Sequence, residues 1–203
     1  SCYVYTGSKW ESRSGKSWRD PGYSQTDRDP VTCVNWKDVK AYVDWMSRKS
    51  GKEYRLLSES EWEYMARAGS TSKYPLGASD KAVCQHGNGA DQSTSFDWRN
   101  KSCNDGFSNK TSPVGSYMAN NFGVYDTVGN VYEWVEDCWH DNYSGAPIDG
   151  SAWTSGGDCS KRVLRGGSWD DDPRLLRSAI RFWLNATYRD NYIGFRIART
   201  LSQ

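Results

Sequence analysis

Apolar and polar positions follow two different periods in this chain, and the change falls near Gly69. Between Asn35 and Gly51, the residues Val39, Tyr42, Val43 and Met46 recur at helical spacing on one face. Asn35 precedes them with an acceptor side chain suited to an N-cap, and Gly51 follows with access to left-handed backbone. The spacing predicts a helix bounded by those two residues. Tyr54 to Leu57 reads as a short extended run. Ser58 then opens a second helix, because Ser58 and Glu61 form a capping box. Trp62, Met65 and Ala66 supply its buried stripe, and Gly69 is the expected stop.

Beyond Gly69, clusters of Gly, Asn, Asp and Ser separate short apolar runs at 131–135, 162–165, 176–184 and 194–198, which predict strands. Residues 1–30, through Gly15, Gly22 and the Asp29-Pro30 step, are polar and irregular and read as loop. Two helices followed by short strands and long loops make an α+β domain. The 203 residues suffice for a single domain spanning 1–203.

Composition changes this picture in three ways. With 11 Trp and 13 Tyr beside few aliphatic residues, the core must be built largely from rings. The 26 Lys and Arg against 25 Asp and Glu leave a net charge of +1, which gives nucleic acid no electrostatic footprint. The six cysteines contain no CxxC pair, so disulfides in an oxidising compartment are expected in preference to thiolate metal sites. Cys84 with Cys103 and Cys138 with Cys159 each bracket a polar loop and are candidates for local bridges. Six cysteines allow fifteen pairings, and free buried thiols are the alternative. No run approaches the roughly 18 apolar residues of a membrane span, and the first residues form no signal peptide. An extracellular or cell-surface location follows, with any lipid anchor in a segment outside these residues.

Four segments then occur in a fixed order. They are Arg55-Leu56-Leu57-Ser58-Glu59-Ser60-Glu61-Trp62-Glu63-Tyr64, Asn121-Phe122-Gly123-Val124-Tyr125-Asp126, Gly129-Asn130-Val131-Tyr132-Glu133-Trp134 and Arg165-Gly166-Gly167-Ser168-Trp169, closed by Gly194-Phe195-Arg196. This series resembles the formylglycine-generating enzyme (sulfatase-modifying factor) family over about residues 29–199. The family's opening strand and entry motif are not evident in residues 1–28, so an N-terminal portion is expected to be missing. The resemblance implies a variant of the C-type lectin fold, with two helices on a small twisted antiparallel sheet and long loops.

Members that make formylglycine use two cysteines after the Gly-Gly-Ser-aromatic motif to bind copper and activate oxygen. Asp171 and Leu176 hold the matching positions here, and a carboxylate and an alkyl group cannot replace soft thiolates for Cu(I). A related branch holds non-haem iron through imidazoles, whereas this chain offers only His86 and His140, far apart and without HExxH. Gly166-Gly167-Ser168 lacks the framing glycine of a nucleophile elbow and reads as a structural turn. The expectation is therefore no catalytic residue and no catalytic cofactor. The alternative is a divergent formylglycine-generating or sulfoxide-synthase-type oxidoreductase.

The segment 180–193 gathers rings and aliphatic residues around Arg and Asn, a composition suited to binding. Ile180, Phe182, Leu184, Tyr188, Asp190 and Tyr192 stand where many relatives carry Asn. That pattern resembles the variable proteins of diversity-generating retroelements, in which adenine-directed mutagenesis rewrites Asn codons. The resemblance implies a ligand-binding receptor with a diversified C-terminal surface, whose partner is a protein or another surface macromolecule. Asp170, Asp171, Asp172, Leu175, Phe182, Trp183, Tyr188, Asp190 and Tyr192 are expected to share one concave patch, with Ile180 and Leu184 as further candidates. A competing reading makes 176–184 a core strand that buries Ile180, Phe182 and Leu184 and turns Arg181 and Trp183 away. The three adjacent aspartates read as a solvated acidic loop or as part of the binding surface. A structural or assembly subunit is a third possibility. Relatives also bind structural calcium at positions matching Asn88, Gly89, Asp105 and Phe107, and Val128, Gly129, Val131 and Glu133, oxygen-rich sets that suit a hard cation.

Overall fold

A computed structural model describes residues 1–201. Its first strands lie where the sequence reads as loop. β1 (Cys2–Tyr5) and β2 (Trp10–Arg13) pair as an antiparallel hairpin. Each strand is four residues long, too short for alternation to stand out among polar neighbours. Helix α1 (Trp36–Ser50) starts at the predicted cap: Asn35 accepts from the Asp38 amide while the Asp38 side chain accepts from Asn35, and left-handed Gly51 ends it. β3 (Tyr54–Leu56) leads into α2 (Glu59–Arg67), whose Ser58–Glu61 capping box forms as expected. Its C-cap is Ala68, with φ 45°, one residue before the predicted stop. A third helix, α3 (Asp80–His86), is capped by Ser79 and was not signalled by periodicity.

The remaining strands are β4 (Gly87–Asn88), β5 (Val128–Gly129), β6 (Tyr132–Trp139), β7 (Asp158–Arg165), β8 (Phe182–Asn185), β9 (Ile193–Phe195) and β10 (Ile197–Arg199). Four of them form the main sheet in the order β8-β7-β6-β9. Two of its pairings are antiparallel, but β9 lies parallel to β6, so the sheet is mixed. β10 continues past Arg196 to pair with β3, and β4 pairs with β5.

β6 organises the core by the alternation of its side chains. Tyr132 and Trp134 join Val39 and Val43 of α1, with Leu56, Leu164 and Ile193. Val135 points the other way, to Trp62 and Ala66 of α2 and to Val163. The two long helices thus cover opposite faces of the sheet. Large rings are admitted to this core because their N–H groups are satisfied: Trp62 donates to Glu133 at 2.6 Å and Trp134 to the Val34 carbonyl at 3.1 Å.

The strand expected at 176–184 does not form over that length. Residues 172–180 turn repeatedly, closed by bonds from Leu175 to Asp172, Leu176 to Pro173 and Ile180 to Arg177, and only Phe182–Asn185 pairs with β7. The apolar residues before it serve these turns, and Leu176 drops into a separate cluster with Tyr74, Val83 and Val128. Disulfides join Cys84 to Cys103 and Cys138 to Cys159, as the loop spacing suggested, and Cys2 to Cys33. The last ties the hairpin to the entry of α1. Three such bridges fit an oxidising compartment. Among the described residues no cysteine is free, and no helix is long and apolar enough to cross a membrane.

Candidate functional site

β7 ends at Arg165, and the chain leaves it through Gly166 and Gly167, both at positive φ. A Cβ on Gly167 would stand 2.5 Å from Leu176, so only glycine lets the next segment close against this turn. Ser168 is its pivot. The Ser168 amide donates to Asp171 at 3.0 Å, and its hydroxyl lies 2.6 Å from Asp170 Oδ1 and 3.1 Å from Asp171 Oδ2. The turn therefore gathers two of the three adjacent carboxyl groups on one side. Asp172 faces away, held by Arg174 at 2.7 Å, which keeps its carboxyl below the usual range.

These aspartates are not a solvated loop. Burial pushes both Asp170 and Asp171 upward, and the charge of Asp170 adds to the shift of its neighbour, while Tyr132 donates to Asp171. Asp190, only 1% exposed, sits behind them, accepting from Tyr188 at 3.1 Å and from the Asn191 amide at 2.8 Å. Burial raises its carboxyl to about 8 despite those bonds. Among the described residues no Lys or Arg forms an ion pair with any of the three, and no cation figures among the causes of their shifts.

Rings surround this group. Phe182 lies 5.5 Å from Tyr132, Tyr132 6.1 Å from Tyr192, and Tyr192 5.2 Å from Trp10, which stacks on Trp169 at 5.7 Å. Tyr3 stacks on Tyr188 at 5.0 Å, and Trp98 donates to the Asp170 carbonyl at 2.8 Å. Phe182 is 40% exposed, while Tyr188 and Tyr192 are half-buried.

The structure thus brings Asp170, Asp171, Phe182, Tyr188, Asp190 and Tyr192 together, with exposed Leu175 beside the same turn. It separates the others. Trp183 points to the opposite sheet face, 6.2 Å from Trp139 and beneath Lys161. Ile180 is half-buried and its carbonyl accepts from Arg165, and Leu184 packs on the main core. Tyr3, Trp10, Trp98, Tyr132 and Ser168 belong to this face but were not singled out by sequence. Only Tyr132 and Ser168 fell within a recognisable motif.

The thiol pair of the catalytic relatives has no counterpart in this geometry. Leu176 is sealed at 1% exposure among apolar side chains, Asp171 is a hard oxygen donor, and all six cysteines are in disulfides. These residues do not fit Cu(I). The two calcium sets differ from each other. In the first, the buried Asn88 Oδ1 has no hydrogen-bond partner, Gly89 and Asp105 line a cavity of about 10 Å³ with Asp91, and the Asp105 oxygens accept from the Phe107 amide and the Tyr117 hydroxyl, neutral donors with no base competing for a hard cation. In the second, Glu133 is already occupied by Arg196, at 2.8 and 3.0 Å, and by Trp62. That set does not fit as arranged. Among the described residues no group of three or more His, Cys, Asp or Glu side chains converges as a metal-ligand set.

A larger cavity of about 870 Å³ lies elsewhere, between residues 16–18, α1 and the β9–β10 segment. Its lining is mainly apolar, and Arg189 in its wall is paired with Asp38 at 2.7 Å. Its charged side chains are paired, Lys16 with Asp20 and Arg189 with Asp38, whereas the ring-lined face carries carboxyl groups without a base and is the stronger candidate.

A mixed sheet between two helices, long loops, and a Gly-Gly-Ser turn leaving a central strand define a C-type-lectin-like domain of the formylglycine-generating type. The chain belongs to the family of the sulfatase-modifying factor enzyme 1-like domain, which matches residues 1–201 and so takes in the hairpin outside the expected 29–199. The solved structure of PvdO from Pseudomonas aeruginosa is similar, at 46% identity, with a TM-score of 0.78, over 88% of this chain and 65% of that one. Treponema denticola variable protein 1 shares the fold at 24% identity and a TM-score of 0.69, over 88% of this chain and 74% of that one. The serine/threonine-protein kinase pkn1 of Chlamydia caviae is 34% identical over 195 residues, 95% of this chain but 27% of that protein. The formylglycine-generating enzyme of Mus musculus is 35% identical over 172 residues, 79% of this chain and 42% of the enzyme. The chain therefore spans about a quarter of the former and under half of the latter.

Proposed function

We propose that this domain is a ligand-binding receptor module on a lectin-like scaffold, extracellular or at a cell surface, and that the face around Phe182, Tyr132, Tyr192, Asp170 and Asp171 is its recognition site. One observation carries the reading: exposed Phe182 and half-buried Tyr192, backed by the buried Tyr132, border carboxyl groups that no base neutralises, Asp171 among them at a position matching a thiol of the catalytic relatives. Rigid rings supply contact area at low entropy cost, and the carboxyl groups give polarity and orientation. Variation of ligand contacts, as in a diversified receptor, is best tolerated at the exposed Phe182, since Leu184 packs on the core and Trp183 lies on the reverse face. Asn185, Arg189 and Asp190 are tied by side-chain bonds to Thr187, Asp38 and Tyr188, so exchange there disturbs the frame. We also propose calcium at Asn88, Gly89, Asp105 and Phe107, where added Ca²⁺ should raise the melting temperature and Asp105→Asn should remove the rise.

The test is a fragment screen by protein-observed NMR. Binding that perturbs Phe182, Tyr192 and the 168–171 amides supports the assignment, and Phe182→Ala should remove it without altering the fold. Hits confined to the cavity at Trp18 and Tyr42 would overturn it.

The second reading, a divergent oxidoreductase, is favoured by the similarity to formylglycine-generating enzymes and by Asp171, a carboxyl held toward its acid form beside Tyr132 and Ser168. Oxygen uptake with thiol substrates in the presence of copper or iron separates the two. Metal-dependent turnover selects the enzyme.

A further inference from the structure

The ring-lined face carries more information than its aromatic content. Ser168 Oγ lies within hydrogen-bond distance of both Asp170 and Asp171, yet a hydroxyl has one hydrogen to give. The hydroxyl serves one of the two while Asp171 also takes the Ser168 amide and Tyr132, so the pair is met by neutral donors alone and its charge is left without a cation. Asp170 Oδ1 takes the Ser168 contact, and its second oxygen has no partner among the described residues. The rings present at this spot are those of Phe182, Tyr132 and Tyr192, with Tyr192 wedged edge-on against Trp10. Ring faces carry negative potential, so carboxyl groups and rings favour the same sign of ligand.

We propose that this face takes a monovalent organic cation, an ammonium or guanidinium group seated between Asp170, Asp171 and the rings of Phe182 and Tyr192, with the buried Tyr132 behind them. This rests on the face being the binding site. A metal ion fits less well, because the carboxyl groups share a hydroxyl rather than converge on one point and among the described residues no set of metal ligands converges here. An anion meets only like charge, since Asp190 lies directly behind the pair. Asp190 is sealed beneath Tyr188 and contributes field rather than contact. The groups facing the pair are Ser168 on its own turn, Tyr132 from β6, Tyr192 and Asp190 from the segment before β9, and the Trp10 ring from β2. None of them is a base.

Occupation by the cation displaces a retained proton, so affinity should rise with pH. The carboxyl groups titrate above their usual range, and the affinity gain accumulates from about pH 5 to about pH 8 before levelling.

The experiment measures binding by calorimetry and NMR with benzyltrimethylammonium, whose charge is independent of pH, against benzyl alcohol and benzoate. The expected result is at least about tenfold tighter binding of the cation than of the alcohol, no binding of benzoate, and loss of the margin in Asp170→Asn/Asp171→Asn. A second arm compares acetyl-Gly-Arg-Gly-amide with its citrulline counterpart, and a tenfold preference for arginine identifies a polypeptide as the source of the cation. Equal binding of benzyltrimethylammonium and benzyl alcohol, both lost in Phe182→Ala, overturns the cation and leaves the ring-lined face as a binding site. If no probe of either arm binds, and no resonance of this face moves, both assignments fall. Phe182→Ala is an exposed-ring truncation and serves as the folded control should the double Asn variant melt.

Discussion

On the α2 side of the sheet, Arg165 and Arg181 meet Glu59 and Glu63; on the side carrying Tyr132, three aspartates meet no base. The first cluster is matched in charge. Arg165, fully buried, binds Glu63 and the Ile180 and Ser178 carbonyls, and Arg181 grips Glu59 at 2.6 and 2.9 Å between the rings of Trp139 and Tyr143. Matched charges of this kind join β7, β8 and α2. The second cluster joins little and carries the desolvation cost of its carboxyl groups with no ion pair to offset it. A fold keeps such an arrangement where something other than stability benefits, and the two neighbouring faces of one small sheet display both cases.

Breaking the matched cluster should have the largest effect. Arg165→Met removes the buried partner of Glu63 and the donors to the Ile180 and Ser178 carbonyls, while Glu59 keeps Arg181 and Glu63 keeps Arg67, and should cost about 3–5 kcal/mol in urea unfolding. A loss below about 1 kcal/mol would show that the cluster is not structural. Next, Cys2→Ala/Cys33→Ala releases the hairpin that carries Tyr3 and Trp10. It should cost about 2–4 kcal/mol, read by thermal melting, and should weaken binding at the ring-lined face while leaving the α2 cluster in place.

The unmatched cluster is sharpened by pH. Asp190 has its carboxyl raised above the unfolded value, so the folded state holds the extra proton. Its contribution is fully present below about pH 4 and is lost as pH rises toward about 8. Asp190→Asn, which keeps an acceptor for Tyr188, should flatten that decline and raise the melting temperature at about pH 8, by roughly 2–4 °C for each kcal/mol recovered. A melting profile parallel to that of the parent chain would place the pH dependence elsewhere. The smallest effect is expected from Trp183→Ala, on the reverse face. It should change stability by about 1 kcal/mol or less and leave ligand titrations of the ring-lined face unchanged.

Local chemistry was legible in the sequence wherever a few adjacent residues determine the outcome. The Asn35 and Ser58 caps, the break at Gly51 and the loop bridges Cys84–Cys103 and Cys138–Cys159 all depend on short spacings. The absence of the family's thiols was equally plain, and the buried Leu176 explains it in structural terms. What could not be read were the arrangements made by distant partners. The four-residue strands β1 and β2 have too few positions to show a period, α3 is seven residues long, and the parallel β6–β9 pairing joins segments about sixty residues apart. The apolar run at 176–184 misled for a related reason: Leu176 fills a pocket made by Tyr74, Val83 and Val128, which no local period reveals. The candidate site suffered most, because three of its rings, Tyr3, Trp10 and Trp98, come from segments that sequence treated as connecting loop.

The hairpin has one more consequence, in the order of events during synthesis. The Tyr3 amide donates to the Arg189 carbonyl, the Asn191 amide donates back to Tyr3, and the Cys33 amide donates to Asp190. A chain emerging from the ribosome cannot assemble this face until residues 182–192 are out, however early the helices have settled. Contacts of such long range close slowly, which makes the recognition surface a late product of maturation and a direct readout of whether the whole domain has been completed.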